Sequence, residues 1–300
     1  MKRTVMSIIA GVLTLAVCIF PGAVSKADSV EVKPYIAFGA DLNSSQKKTV
    51  MKQLEVTSEE LADYEVIEVT NGDEHKYLDS YLDAAVIGTR ALSSVKIEEA
   101  DAGIGIHVEA HNITFCTEEM YTNALVTAGI SDANVTVAAP FNISGTAALV
   151  GAMKAYGTMT GQDVDSDNAD AATNELVYTG ELGESIGKDK ASQFVALVKD
   201  KVVSEGLSSE EDILEAIDDA AKELDITLSK EQKTKMSSLM KKISDLDLSV
   251  DTIQSQAKGI YDKLKNLDID LSQAEGIWEK ICDFFAELFA RIAEFFKNLF

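Results

Sequence analysis

The stretch VTVAAPFNISGTAALVG, residues 135–151, decides the fold class: a run of β-formers gives way through Pro140 to Ser144, Gly145 and a row of small helix-forming residues. Its first half predicts a buried strand and its second half a helix, one whose small side chains permit close packing on a sheet. Such a direct handover from strand to helix is the pattern of an α/β domain. Ser144 stands at the handover. A nucleophile elbow needs glycine two positions before and after the serine, and Asn142 and Thr146 occupy those places. The histidines that could serve as a base, His75, His107 and His111, lie in no recognisable signature with it. An anion at the amides of residues 145–147 is the other chemical reading, but no Gly-Lys-Ser is present and the nearest basic residue in sequence is Lys154. Ser144 is therefore read as a helix cap.

Working outward, PYIAFGADL reads as a strand, and Asn43 with Gln46 forms a capping-box pattern that opens a helix through Leu54. YEVIEVTNG reads as a strand ending in the turn pair Asn71–Gly72. VKIEEADAGIGIHVEAHNITF reads as two alternating strands joined near Asp101 and Gly103. A helix follows, with Thr117 as N-cap, Glu118 and Glu119 at the positive end of its dipole, and Gly129 as terminator. The predicted architecture is an N-terminal α+β or α/β domain with a mixed sheet over residues 28–161, followed by an all-α C-terminal helical domain. Between them residues 162–188 read as an acidic connector, entered through GQDVDSDNADAATNE, residues 161–175. The acidic helical domain covers 189–272, with capping patterns at Ser208 and Glu211, Ser229 and Gln232, and Ser272 and Glu275.

The chain begins with Lys2 and Arg3, an apolar run from Val5 to Phe20, and small residues ending at Ala27, the layout of a signal peptide over residues 1–27. A retained anchor is the alternative, but the run is short for a bilayer span. A lipobox at Leu15–Cys18 is poor, because bulky Val17 precedes the cysteine. Removal of Lys2, Arg3 and Lys26 with the leader would take 27 basic residues to 24 against 50 acidic ones, a net charge of −26. A surface so acidic repels nucleic acid and anionic lipid. The two cysteines beyond the leader, Cys116 and Cys282, form no disulfide framework, and two separate apolar-packed thiols are expected.

The segments MYTNALVTAGISDANVTVAAPFNISGTAALVGAMKAY, residues 120–156, and NELVYTGELGESIG, residues 174–187, carry a resemblance to a known family. "AAPF", "SGTAAL" and "TAGI" are its most distinctive pieces. The chain resembles the YpuA-like family of secreted bacterial proteins, domain of unknown function 1002. The resemblance implies export and an intact chain, and supplies no activity, cofactor or site.

Candidate sites were weighed on chemistry. HVEAH alternates as a strand, so His107, Glu109 and His111 share one face; the two histidines stand about 13 Å apart, too far for one ion. Only Glu109 with one histidine could join a metal site, and a solvated polar face is the simpler reading. Asp163, Asp165 and Asp167 match the first positions of a calcium loop, yet Asn168 replaces its glycine and Asn174 its bidentate acid. No cofactor is predicted beyond a weak calcium site. Residues 273–300 read as an aromatic amphipathic helix: Trp278, Phe284, Phe285, Phe289, Phe295 and Phe296 flank a narrow polar stripe. This face must pack on the protein's own core, another protein or a membrane surface; self-packing is favoured, because exposure would invite aggregation during export. The functional expectation is a secreted or extracytoplasmic binding protein, peripherally attached to the envelope if the terminal helix docks there, with no nucleic-acid partner and with its ligand unassigned. The alternative is a metal-dependent or carboxylate-based hydrolase.

Overall fold

The computed structural model of the chain describes residues 33–160 and 163–265. The leader, Cys282, the Ser272 capping pattern and the aromatic segment 273–300 lie outside the described residues. Alternation and parallel crossovers organise the first half. Strand β1 (Tyr35–Gly39) leads through helix α1 (Ser44–Gln53) and a short 3-10 turn to β2 (Glu65–Val69), which lies parallel to β1. Helices α2 (Asn71–Leu78) and α3 (Ala84–Ile87) precede β3 (Ser94–Glu99), which runs antiparallel to β1. A second crossover follows, with β4 (Ile106–Ile113) passing through α4 (Glu118–Thr127) to β5 (Ala133–Ile143), its parallel neighbour. The mixed sheet has the order β2-β1-β3-β5-β4. Both expected alternating strands form, but β5 inserts between β3 and β4, since a parallel pair needs a crossover and α4 supplies it.

The sheet is covered on both faces. Ile36 and Phe38 of β1 join Val50 and Met51 of α1 and its C-terminal cap Leu54 on one side. Tyr35 and Ala37 point the other way, into the main core with Val95, Val135, Val137 and the helices α4 and α5 (Thr146–Thr160). The small residues of α5 serve the close approach expected of them: a Cβ on Gly151 would stand only 3.0 Å from that of Ala37.

Beyond α5 the chain is helical: α6 (Ser166–Ile186), α7 (Lys188–Ser204), α8 (Glu210–Glu223), α9 (Lys230–Ser244) and α10 (Val250–Lys265). Phe194, Val198, Ile213, Ile217, Met236 and Leu239 anchor a second core among α6 to α9. The stretch read as an acidic connector carries the 21-residue α6. Its acidic start complements the helix dipole: the Asp165 carboxylate caps the helix by accepting from the amides of Asp167 (2.8 Å) and Asn168 (3.4 Å). Ala169, Ala172 and Leu176 then repeat at helical spacing and are buried. Helix α6 packs on α4, and α10 packs on both α7 and α4, so the helical half leans on the sheet half through α4. Among the described residues no helix is long and apolar enough to cross a membrane.

Local signals hold at many ends and fail at a few. The capping boxes of Asn43 with Gln46 and Ser229 with Gln232 are present, as are the Thr117 cap and the Gly129 stop at φ +87°. Asn71 and Gly72 do not make a turn; they open α2, because Thr70 and Asp73 form a capping box. The cap of α8 is Ser209, which accepts from the Asp212 amide, one residue later than expected.

Ser144 does not cap α5. The helix starts at Thr146, and the amide of Ala148 donates instead to Ser93 Oγ at 3.0 Å, a cap supplied from just before the neighbouring strand β3. The Ser144 hydroxyl lies 3.5 Å from Thr146 Oγ1, longer than a good O–H···O bond. Gly145 explains the displacement. It adopts φ +95°, its carbonyl accepts from the Tyr121 hydroxyl at 2.6 Å, and a Cβ there would fall 2.4 Å from that oxygen. The handover is therefore a left-handed glycine turn clamped by Tyr121.

Candidate functional site

Strand β4 is at the edge of the sheet, and a groove of about 1160 Å³ runs along it. Every residue from Gly103 to His111 contributes to its lining. Helix α4 forms one wall through Glu118, Thr122 and Val126; the start of α10 forms the other through Asp251, Thr252 and Gln256. The approach to β4 is fixed by Asp132, whose Oδ1 accepts from the amides of Gly103 (2.9 Å) and Gly105 (2.8 Å).

The alternation of HVEAH is realised. Ile106, Val108 and Ala110 pack against the main core, whereas His107 and Glu109 are exposed. The backbone alternates as well. In a parallel strand both polar groups of one residue point to the same side. The Gly105 carbonyl accepts from Ala133 of β5 at 3.2 Å, so odd-numbered residues face β5 and the groups of Ile106, Val108 and Ala110 face outward into the groove. The outward Ala110 amide donates to Glu118 Oε1 at 3.3 Å. Past His111 a bulge centred on Asn112, at φ +60°, interrupts the register. The usable edge therefore runs from Ile106 to Ala110.

Behind the groove lies a buried polar chain that joins four helices. Gln256 Nε2 of α10 donates to Asn123 Oδ1 of α4, and the Asn123 carbonyl accepts from Lys199 Nζ of α7 at 2.9 Å. Lys199 also donates to Thr127 Oγ1 (3.1 Å) and to Glu175 Oε1 of α6 (2.9 Å); Thr127 in turn donates to the other Glu175 oxygen. Both charged side chains are 0% exposed. Burial raises the Glu175 carboxyl and lowers the Lys199 ammonium, and each opposes the other's shift by attraction. Next to this pair Asp200 is also fully buried, and neither carboxylate oxygen has a hydrogen-bond partner among the described residues. Burial, reinforced by the charge of Glu205, pushes its carboxyl up to about 6.

None of these three buried groups was singled out from the sequence. A signal existed for Lys199, which sits in the stripe Ser192, Val195, Lys199, Val202 of α7, where every member is buried. Asp163, Asp165 and Asp167 converge on no calcium loop, because the chain enters α6 at Ser166 and Asp165 serves as its cap. Among the described residues no three His, Cys, Asp or Glu side chains are grouped to hold a metal ion. Cys116 is a free, buried thiol, pushed up to about 12 by burial. The interaction candidates Trp278, Phe284, Phe285, Phe289, Phe295 and Phe296 lie outside the described residues.

Comparison with known proteins agrees with the sequence resemblance. The chain is 38% identical over 275 residues to the uncharacterized protein YpuA of Bacillus subtilis (strain 168), a match covering 91% of this chain and 93% of the relative. No solved structure was found to match. The model of the family described as "Protein of unknown function (DUF1002)" matches residues 38–260, from within β1 to within α10, and the chain belongs to that family.

Proposed function

We propose that this is an exported, non-enzymatic binding protein whose ligand lies in the groove between β4, α4 and α10. The observation that carries this reading is the outward-facing backbone of β4 along the groove, next to the exposed side chains of His107 and Glu109. Export follows from the charged start, apolar run and small residues of positions 1–27. The segment 273–300 with its aromatic residues would then hold the protein at the envelope, or close its own core.

Gly259 provides the test. It lines the groove from α10, and among the described residues a Cβ there meets nothing within 4 Å, so Gly259→Trp adds a large side chain at the groove where the backbone tolerates one. A random-peptide and glycan library screened against the wild type and Gly259→Trp should give ligands that the variant loses at unchanged melting temperature. Ligands held equally by both proteins would refute the groove as the site. Turnover of chromogenic ester, peptide or phosphate substrates that disappears in Glu109→Gln would replace the binding reading with the hydrolase.

A further inference from the structure

Resting on the groove as the binding site, we infer that its occupant is an extended, lysine- or arginine-bearing polypeptide segment that adds as a sixth strand along Ile106–Ala110 of β4. Three observations converge. The outward N–H and C=O groups of Ile106 and Val108 have no hydrogen-bond partner among the described residues, and a strand edge in that state is a template for another strand. The span is about 13 Å at roughly 3.3 Å per residue, enough for a short extended segment. Among the described residues the lining bears Glu109, Asp132, Asp247 and Asp251 and no lysine or arginine, so their field along the groove favours positive charge. A second copy of this chain, with net charge −23, is disfavoured there by the same field.

Glu118 sets the register and guards the edge. Its carboxylate occupies the Ala110 amide, capping the one outward donor nearest the bulge at Asn112. An entering strand pairs with Ile106 and Val108 first and then takes the Ala110 amide from Glu118. The exposed Ile104 at the mouth of the groove gives that strand an apolar contact as well.

The experiment uses the mature chain from Asp28 and a fluorescein-labelled peptide of about eight residues alternating lysine with valine or threonine. Two controls accompany it: its glutamate counterpart, and the lysine peptide N-methylated at alternate amides. Anisotropy should show binding by the lysine peptide that weakens as salt rises from about 0.05 to about 0.3 M. The glutamate and N-methylated peptides should each lose at least about tenfold in affinity. The double variant Glu109→Lys, Asp251→Lys should lose about as much at unchanged melting temperature. Equal binding of the methylated and unmethylated lysine peptides would overturn strand addition, and so would undiminished binding to Gly259→Trp. If the lysine peptide fails while a library ligand still distinguishes wild type from Gly259→Trp, the polypeptide inference falls and the groove remains the site. Dimerisation abolished by Gly259→Trp would assign the edge to a second copy and overturn the proposed occupant.

Discussion

Replacing Lys199 with methionine tests whether the buried chain behind the groove holds the two halves together. Methionine keeps most of the aliphatic stem, so little cavity is left, but the ammonium and its three hydrogen bonds vanish. The carboxylate of Glu175 would then be a 0% exposed charge with only the Thr127 hydroxyl as a neighbour, and the Asn123 carbonyl would lose a donor. Removing one member of a buried pair costs about 3–5 kcal/mol, a large share of the roughly 5–15 kcal/mol that stabilises a domain. The penalty should depend on pH in a set direction. Burial already raises the Glu175 carboxyl, and without Lys199 it rises further, so the folded variant holds a proton that the unfolded chain releases. The variant's stability is therefore greatest at low pH and falls as pH rises through the folded-state value, so the gap to wild type narrows on acidification. Urea unfolding between about pH 5 and pH 8 reads this directly. Glu175→Gln in the Lys199→Met background should restore about 1–3 kcal/mol by removing the stranded charge. A cost for Lys199→Met below about 1 kcal/mol at pH 8, or no recovery in the double variant, would refute the reasoning.

Four further outcomes are expected. Ser93→Ala, which removes one of the two acceptors of the Ala148 amide and leaves the Gly145 carbonyl, should cost about 1 kcal/mol in thermal or urea unfolding, and Ser144→Ala less than about half of that. Gly145→Ala must force alanine to φ +95° against the Tyr121 hydroxyl, and a loss of roughly 2–4 kcal/mol by urea unfolding is expected. Asp200→Asn should stabilise the protein at pH 7 by on the order of 2–3 kcal/mol. The Asp200 carboxyl is raised to about 6 when folded, so wild type loses stability as pH rises from about 4 to 6, a slope the variant flattens in melting curves against pH. Protein recovered from culture fluid or cell surface should begin at Asp28 by N-terminal sequencing, and recovery of an intact, membrane-embedded Met1 form would refute export.

What the sequence disclosed is what neighbouring residues decide among themselves. Asn43 with Gln46, Thr117 with its helix and Ser229 with Gln232 are short-range chemistry, and they stand where expected. The cap on α5 illustrates the opposite case. Its donor and acceptor are 55 residues apart, so Ser144 was the only candidate visible locally, while the hydroxyl that does the work belongs to Ser93. The order of the sheet was hidden for the same reason, since β4 would alternate identically beside β3 or beside β5. Lys199 was partly visible. Its place in an apolar stripe was legible, but a lysine there ordinarily extends its head to water, and the carboxylate that holds it inside sits on another helix.

The groove combines both limits. The sequence showed a strand with a polar face at His107 and Glu109, which by itself is solvated surface. It becomes the floor of a groove only because α10, more than a hundred residues later, packs on α4 and supplies the opposite wall. That placement rests on specific contacts: Ile253, Ala257 and Ile260 are buried, and Gln256 donates to Asn123. The carbonyl of the same Asn123 accepts from Lys199, so the residue that fixes the wall is tied to the buried ion pair. The energetics of the core and the shape of the groove are therefore one problem. A change that frees the Asn123 carbonyl from Lys199 is therefore expected to loosen α10 as well, and the groove, lined from both β4 and α10, needs the sheet and the helices together.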